Sequence, residues 1–326
     1  MTSPLRTPIC DMLGIEYPIL LAGMGGVALS KLVAAVSNAG GLGVMGAATL
    51  DADRLRDEIR KTRELTDKPF AVDLLAPIPD NIRPQIKVLF EEDIRIFVAG
   101  LAVPAEFIDE MHERGMKVLV MCGRVRHAQK SEAAGADAVV AQGTEAGGHT
   151  GEVGTLALVP QIVDAVKIPV LAAGGIADGR GVVASLALGA QAAVIGTRFI
   201  ASPEAQAAPG YRDAIVRAHE DETTRTRCFT GKPARAIRNE RTEEWEHRLD
   251  ELQPFPIQAG RSAQEGVMDY MGVTTRFTAE RTFMPAGQGV GMINDIKPAA
   301  DILFDIVREA EQIIDQRFVH PTAAAR

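Results

Sequence analysis

The segment Gln142–Glu152, QGTEAGGHTGE, holds the residues whose types and spacing most suggest chemistry. His149 stands there among four glycines. An imidazole titrates close enough to neutral pH to act as a general base or to donate a hydrogen bond to a substrate. The small neighbours would let a flat aromatic ligand lie against the backbone. A lone histidine more often only satisfies loop carbonyls, but a position among glycines at the end of a strand favours a catalytic role for His149.

Two later loops combine glycine with the start of a helix. Gly174 and Gly175 lie in AGGIADG, and Gly196 is followed by Thr197 in IGTR. Glycine lets backbone N–H groups close on phosphate oxygens, a helix N-terminus favours negative charge, and a threonine hydroxyl can add a hydrogen bond. Either loop alone could be only a tight turn between a strand and a helix. Two such loops at consecutive strand ends favour a phosphate-bearing ligand.

Eight short apolar runs must position these loops. They show no polar alternation, which is typical of strands buried on both faces of a parallel sheet. The first turn, AGMGG, does not fit the G-x-G-x-x-G of an open dinucleotide-binding sheet, so the eight runs predict an α/β fold, the closed (β/α)8 or TIM barrel, with its active site at the carboxyl ends of the strands. The runs are Pro18–Ala22, Leu42–Gly46, Phe70–Leu75, Ile94–Ala99, Lys117–Met121, Ala138–Ala141, Pro169–Ala173 and Ala192–Ile195.

Helical patterns separate the runs, and residues 201–285 break the alternation. That stretch is rich in charge and contains the only tryptophan, Trp245. It predicts a mainly helical insertion, between strand eight and the last helix, that caps the substrate site. The predicted domains are therefore a barrel formed by residues 1–200 and 286–326, and an insertion at residues 201–285. The predicted helices are Lys31–Asn38, Asp53–Leu65, Ala105–Arg114, Val125–Ala134, Pro160–Val166, Gly179–Ala187 and Lys297–Arg317.

Composition and charge exclude several classes of protein. Of the 326 residues 46% are hydrophobic and 24% are charged, values of an ordinary globular protein, so wholesale disorder is excluded. A net charge of −8 leaves no basic face for a nucleic acid. Three separated cysteines cannot build a disulfide framework or a cysteine-rich zinc site, and no apolar run has the length of a membrane span. We expect a cytoplasmic protein that binds a small molecule, without a metal, a membrane or a nucleic acid as partner.

Six motifs, in a fixed order along nearly the whole chain, carry a resemblance to a known family. They are AGMGG, QGTEAGGHTGEVGT, LAAGGIADGRG, VIGTRF, TGKPAR and PAGQGVGMI. In this combination the chain resembles the nitronate monooxygenase (2-nitropropane dioxygenase) family, whose relatives include flavin-type enoyl-acyl-carrier-protein reductases, NADH:quinone reductases and reductases of acyl-CoA steroid fragments. The resemblance implies an FMN-binding TIM barrel with a helical insertion near the C-terminus, which agrees with the independent strand count.

The resemblance also implies roles for individual residues. His149 aligns with the active-site histidine of the family, and Gln288, in the last motif, would belong to the shell that closes the site. The implied flavin contacts are Gly23 and Met24 along the ring, Gln142, Gly147 and Gly148 at its polar edge, and Gly174, Gly175, Ile195, Gly196 and Thr197 at the phosphate.

One position departs from the family pattern. Many members have asparagine beside the flavin at the end of strand three, whereas this chain has Asp73, in AVDLLAPIP. We expect Asp73 to contact the cofactor, where an ionised carboxylate would disfavour the anionic reduced flavin unless a cation or a shared proton compensates. The sequences around Asp73 and His149, AVDLL and EAGGHTGEVGT, are more similar to the acyl-CoA reductase branch of the family than to typical nitronate oxidisers.

The insertion supplies cations that a phosphorylated substrate could use. Lys232, Arg235 and Arg238 lie in TGKPARAIRN, and guanidinium groups bind phosphate bidentately. With 43 acidic residues in the chain, ordinary surface ion pairs explain these cations about as well.

The function predicted from the resemblance is FMN-dependent oxidation of alkyl nitronates with O2. The alternative is an NAD(P)H-dependent FMN reductase whose acceptor is an enoyl or acyl-CoA thioester or a quinone. In either case His149 would position the substrate or move its proton. A third possibility is a barrel without redox activity that binds a phosphorylated metabolite. A homodimer is compatible with each of these.

Overall fold

The computed structural model describes residues 3–75, 79–102 and 105–320; the predicted barrel domain also includes 1–2, 76–78, 103–104 and 321–326, which lie outside the described residues. Within the described part, eight parallel strands are hydrogen-bonded in the order β1-β9-β8-β6-β5-β4-β3-β2. Leu20 of β1 also pairs with Leu42 just before β2, which brings the first and last strands of that order together. The barrel strands are β1 (Ile19–Leu21), β2 (Gly43–Gly46), β3 (Phe70–Leu75), β4 (Ile96–Gly100), β5 (Lys117–Cys122), β6 (Ala138–Gln142), β8 (Val170–Ala173) and β9 (Ala192–Ile195).

This nearly closed barrel confirms the predicted (β/α)8 fold, and each predicted strand overlaps an observed one. Sequence analysis did not predict the helix at Pro79–Glu91, in which Pro84 interrupts the helical pattern. The helix predicted to begin at Pro160 instead begins at Thr155, so Pro160 lies inside it. The helices of the barrel are α1 (Pro8–Leu13), α2 (Ser30–Asn38), α3 (Ala52–Leu65), α4 (Pro79–Glu91), α5 (Ala105–Glu113), α6 (Val125–Ala133), α7 (Thr155–Ala165), α8 (Gly179–Ala187), α9 (Thr197–Ile200) and α13 (Ala299–Ile314).

Two apolar layers hold the barrel together. The inner layer fills the barrel with side chains from every second residue of the strands, for example Leu20, Val44 and Leu171. Helix α1 closes the amino-terminal end because Ile9 and Leu13 pack into that same cluster. The outer layer lies between the strands and the surrounding helices and includes the apolar stripe of α13, which is the final helix predicted from the sequence.

The insertion at 201–285 contains helices, as expected, and two strands that the sequence analysis did not predict. Strands β10 and β11 pair antiparallel, and β11 pairs with the two-residue strand β7 that carries His149. A small separate core around Phe229, Trp245 and Phe283 stabilises this region. The remaining elements are β7 (Gly148–His149), α10 (Pro209–Arg217), β10 (Thr223–Thr226), β11 (Ala234–Ile237), α11 (Glu240–Glu246), α12 (Ile257–Gln264), the 3₁₀ turns Leu249–Glu251 and Gln288–Met292, and a π turn at Asp315–Val319.

Candidate active site

The glycine-rich loops predicted from the sequence come together at the carboxyl end of the barrel. Strands β1, β9, β8 and β6 are consecutive neighbours in the sheet, so the loops that follow them share one side of the mouth. Ile195 pairs with Leu21, and Gln142 pairs with Ala173, the residue before Gly174. Met24 lies beside Gly196, since a Cβ on that glycine would be 3.5 Å from the methionine sulfur. The barrel thus gathers residues that are far apart in sequence.

Glycine is required at two positions of the predicted phosphate loop. Gly174 and Gly175 have φ angles of +116° and +72°, which lie in the left-handed region that other residues rarely adopt. A Cβ on Gly174 would also lie 2.6 Å from the hydroxyl oxygen of Thr155. These two residues form the turn between β8 and α8. Because they have no side chains, their backbone N–H groups are accessible to a ligand.

The segment Pro285–Met292 closes over the same side of the mouth. The backbone N–H of Gly287 donates to the Thr197 hydroxyl (3.0 Å), and that of Gln288 donates to the Glu145 carbonyl (2.9 Å). The Gln288 side chain is exposed. Gly147 fits directly beneath this segment, because a Cβ there would lie 2.9 Å from the backbone of Ala286 and Gly287. The last motif of the sequence therefore holds the loops that follow β6 and β9 together.

The loop that carries His149 is fixed at both of its ends. The carboxylate of Glu145 accepts the backbone N–H of Thr155 (2.9 Å), at the first residue of α7. Arg235 donates from Nε to the Thr144 carbonyl (2.9 Å), and its guanidinium reaches the Thr223 hydroxyl (3.3 Å). Arg235 is 8% exposed, and these hydrogen bonds connect the insertion to the loop that carries His149. Its predicted contact with substrate stays a prediction.

His149 is held by the insertion. Its Nε2 lies 2.9 Å from the Thr230 hydroxyl, which in turn lies 3.2 Å from the carbonyl of Lys232. Because a hydroxyl has one proton, a Thr230 that donates to this carbonyl accepts the N–H of His149 Nε2. Nδ1 of His149 then carries the lone pair. The Phe255 ring meets the imidazole edge to face, with ring centroids 6.3 Å apart.

Burial and a nearby cation keep this imidazole neutral. Burial lowers the pKa of His149 to about 4, and the Lys232 ammonium contributes in the same direction. Lys232 is itself held over the face of Phe255, with Nζ 4.8 Å from the ring centroid. At neutral pH His149 is therefore uncharged, and its Nδ1 has no hydrogen-bond partner among the described residues.

Asp73 lies at the carboxyl end of β3, against the loop that follows β1. Its side chain packs directly on Gly23, where a Cβ would lie 2.2 Å from Oδ2. The residue is buried, and Oδ1 has no hydrogen-bond partner among the described residues. Burial raises the pKa of Asp73 well above its usual value. Residues 76–78, the end of the motif in which Asp73 was identified, lie outside the described residues.

Sequence analysis missed two residues that define the surroundings of His149. Thr230 and Phe255 reach the imidazole only because the insertion folds back onto β7. The TGKP motif indicated the correct segment, but the sequence analysis assigned a role to its lysine, Lys232, and none to its threonine, Thr230. Arg238, also named from the sequence, lies on the surface and pairs with Glu246 (3.3 Å).

Comparison with known proteins agrees with this architecture. The family model described as nitronate monooxygenase matches residues 6–88 and 79–309, and the chain belongs to this family. A probable nitronate monooxygenase of Staphylococcus saprophyticus is 34% identical over 96% of this chain and 99% of the relative. A Rhodococcus jostii protein named (3aS,4S,5R,7aS)-5-hydroxy-7a-methyl-1-oxo-octahydro-1H-indene-4-carboxyl-CoA dehydrogenase is 33% identical over 96% of this chain and 98% of the relative.

The solved structure of FabK from Thermotoga maritima superposes with a TM-score of 0.88. It is 40% identical and covers 96% of this chain and 98% of the FabK chain. The relatives are oxidoreductases, and so is this protein. Membership of the family implies a flavin cofactor, while the different names of the relatives show that the substrate varies within it. None of the helices in the described ranges is long and apolar enough to cross a membrane.

Proposed function

We propose that this protein is an FMN-dependent enzyme that oxidises alkyl nitronates with O2. The observation that carries the proposal is His149, a neutral imidazole on the loop beside the glycine-lined mouth, whose Nδ1 has no partner in the described part of the chain. Nδ1 can orient a nitronate, or it can take the α-proton when the neutral nitroalkane is the substrate. Nε2 stays bound to Thr230 throughout, so the ring keeps its orientation.

The mouth fits a flavin on two grounds. Asp73 presents a buried oxygen without a partner, which a bound ligand would satisfy. Gly148 has open space where a side chain would stand, since nothing lies within 4 Å of a Cβ built there. In this proposal Gly174, Gly175, Gly196 and Thr197 hold the phosphate of FMN. Bound FMN would accept electrons from the substrate and return them to O2.

The remaining predicted contacts complete the cradle. Gly23, Met24 and Ile195 line the side of the mouth formed by the neighbouring strands β1 and β9. Gln142 and Gly147 border the loop of His149. The segment around Gln288 excludes water by covering these backbones, since its N–H groups are bound to the loops beneath it.

The test uses the purified full chain loaded with FMN. We expect turnover of a nitronate in air without any pyridine nucleotide, with consumption of O2. The same preparation is mixed anaerobically with nitronate, NADH and NADPH in parallel, and bleaching of the flavin is followed. Bleaching by nitronate alone supports the proposal. Bleaching by a pyridine nucleotide together with no response to nitronate contradicts it, and a chain that takes up no FMN contradicts both redox functions.

One observation favours the second candidate, an NAD(P)H-dependent reductase of an acyl-CoA thioester. A cavity of about 430 Å³ lies next to the His149 loop and is lined by Arg225 and Arg227 together with Glu152, Thr226 and Pro233. Pro233 accepts the backbone N–H of Thr150, the residue after His149 (3.3 Å). Arg225 shares Glu152 with Arg124, whereas Arg227 has no ion-pair partner among the described residues.

Such a cavity suits the phosphates of a nucleotide, because guanidinium groups bind phosphate oxygens bidentately. A double variant, Arg225→Ala with Arg227→Ala, should then raise KM for an acyl-CoA at least tenfold and leave KM for the pantetheine thioester unchanged. Arg238→Ala, on the surface of the same insertion, is the matched control. Equal KM changes for both thioesters, or none for either, would remove the support that this cavity gives to the reductase.

A further inference from the structure

We propose that Asp73 is a neutral carboxylic acid in the folded protein and that its O–H group is the hydrogen-bond donor to the bound flavin ring. The inference rests on the proposed flavin for its second half only. The first half, the neutrality of Asp73, concerns the chain alone and is tested without any cofactor.

The position of Asp73 leaves its carboxyl group few partners. In the sheet it is paired with Gly46 of β2 and Val98 of β4, and its own carbonyl accepts the N–H of Ala47 (3.0 Å). Its carboxyl oxygens face two glycines, since a Cβ on Gly23 would lie 2.2 Å from Oδ2 and one on Gly100 would lie 3.5 Å from Oδ1. On these two sides the carboxyl group faces glycine backbone, and Oδ1 finds no hydrogen-bond partner there.

Among the described residues, no cation pairs with the Asp73 carboxyl group. Strands β2 and β4 and the loop at 22–29 contain no ionisable side chain. An ionisable group that reaches this loop is Tyr270, whose hydroxyl donates to the Gly25 carbonyl (3.0 Å), and burial raises the pKa of Tyr270 to about 12. A buried carboxylate without a cation or a donor costs far more free energy than its protonated form. Asp73 therefore keeps its proton.

A neutral acid at this site has the hydrogen-bonding capacity of an amide. It offers one donor and one acceptor in nearly the shape of asparagine, the residue that the family resemblance leads us to expect here. The orphaned Oδ1 is buried at the mouth, so the group is desolvated before a ligand arrives and its bond to that ligand costs little further reorganisation. Protonation of Asp73 thus preserves the donor that asparagine would supply and avoids the negative charge that an ionised aspartate would bring to the flavin.

The neutrality predicts an unusual dependence of stability on pH. A group whose folded pKa is raised contributes stability below its unfolded pKa and loses it as the pH rises towards the folded pKa, because only the unfolded chain then releases the proton. Relative to Asp73→Asn, the flavin-free wild-type chain should lose up to about tenfold in its folding equilibrium constant for each pH unit above about 4, until the pH reaches the folded pKa of Asp73. Urea unfolding of both proteins between pH 5 and pH 8 measures this ratio.

The exposed Asp164 of α7 provides the matched control, since Asp164→Asn should show no such trend. A ratio between wild type and Asp73→Asn that does not change with pH, or a wild type that gains stability over Asp73→Asn as the pH rises, would show that Asp73 is charged in the folded protein and would overturn the inference.

The donor role is tested on the chain loaded with FMN. We expect Asp73→Asn to bind FMN within about threefold of wild type and to leave the flavin midpoint potential at pH 7 unchanged, because donor and charge are both preserved. Asp73→Ala should weaken FMN binding about tenfold or more.

An Asn variant with a raised potential would reveal a charged carboxylate, and an Ala variant with wild-type affinity would show that no bond to the flavin exists. A chain that binds no FMN would refute the proposed function while the unfolding experiment still decides the neutrality.

Discussion

The two ends of the barrel are built from the same strands and differ in what those strands present. At the amino end, helix α1 inserts Ile9 and Leu13 into the apolar cluster that fills the barrel. At the carboxyl end, the strands finish in glycines, a buried acid at Asp73 and the loop of His149. The amino end presents apolar side chains of α1, whereas the carboxyl end leaves the buried, ionisable Oδ1 of Asp73 without a hydrogen-bond partner among the described residues. Stability and chemistry are thus separated along the barrel axis.

The separation has a physical reason. A ligand gains binding free energy from polar groups that are already desolvated and fixed, and such groups cost stability while the ligand is absent. The apolar amino end offsets that cost by burying side chains completely. Substitutions at the two ends should therefore affect different measurements, and the following experiments test that division.

The largest expected effect is the loss of activity in His149→Ala. Without the imidazole, the base that holds or removes the substrate proton is gone, and we expect kcat to fall by about 10²–10⁴-fold while FMN remains bound. Steady-state turnover and the flavin absorbance of the purified variant measure the two quantities. Full activity in this variant would remove the assigned role, and loss of FMN would show that His149 belongs to the cofactor cradle.

At the other end of the barrel, Leu13→Ala should leave catalysis intact and reduce stability. Leu13 is 2% exposed, and removing a buried leucine side chain typically costs about 2–5 kcal/mol of unfolding free energy. Chemical denaturation measures this loss, and kcat per bound flavin should stay within about twofold of wild type. Leu249→Ala, in the insertion and 65% exposed, is the control that should change neither. A large change in kcat for Leu13→Ala would mean that the two ends are coupled.

The sequence predicted the barrel better than the surroundings of its histidine, and particular residues explain why. Each barrel strand is an apolar run, as expected for a strand that is buried on both faces of a parallel sheet. Such a strand can be predicted without knowing which strands lie beside it. Strand β10, TTRT, has no such pattern and becomes a strand only by pairing with β11. The contact between Thr230 and His149 spans 81 residues of sequence and depends on that pairing.

Asp73 shows a different limit. Its residue type and its place at a strand end were readable from the sequence, and they suggested a negative charge beside the flavin. Its protonation depends on the absence of a cation from β2, β4 and the loop after β1, which becomes evident only when these elements are packed together. The proposed neutral state of Asp73 therefore differs from the charge that its residue type alone suggests, and the unfolding experiment decides between them.

A smaller effect is expected from Thr230→Val, which keeps the shape of the side chain and removes its hydroxyl. His149 would lose the partner that holds its Nε2, so the ring could turn and present either nitrogen to the substrate. We expect kcat to fall about tenfold, in line with the loss of one hydrogen bond to an oriented base. Thr230→Ser should restore most of the activity. If the valine variant is fully active, the orientation of His149 is set by Phe255 and the loop alone.

The smallest effect concerns Lys232, whose cation lies near His149 without binding it. Lys232→Met keeps a long side chain over the Phe255 ring and removes the positive charge. An imidazolium is less disfavoured when a neighbouring cation is absent, so the pKa of His149 should rise from about 4, by less than about one pH unit because burial is its larger cause. Since the reaction needs the neutral imidazole, the pH at which kcat is half-maximal on the acid side should rise by the same amount, while kcat at pH 8 stays unchanged. Lys167→Met, on an exposed lysine remote from the mouth, should leave the profile as it is. If the pH of half-maximal kcat on the acid side falls or stays the same in Lys232→Met, the Lys232 charge does not affect the pKa of His149. Another group would then set the pH dependence of activity.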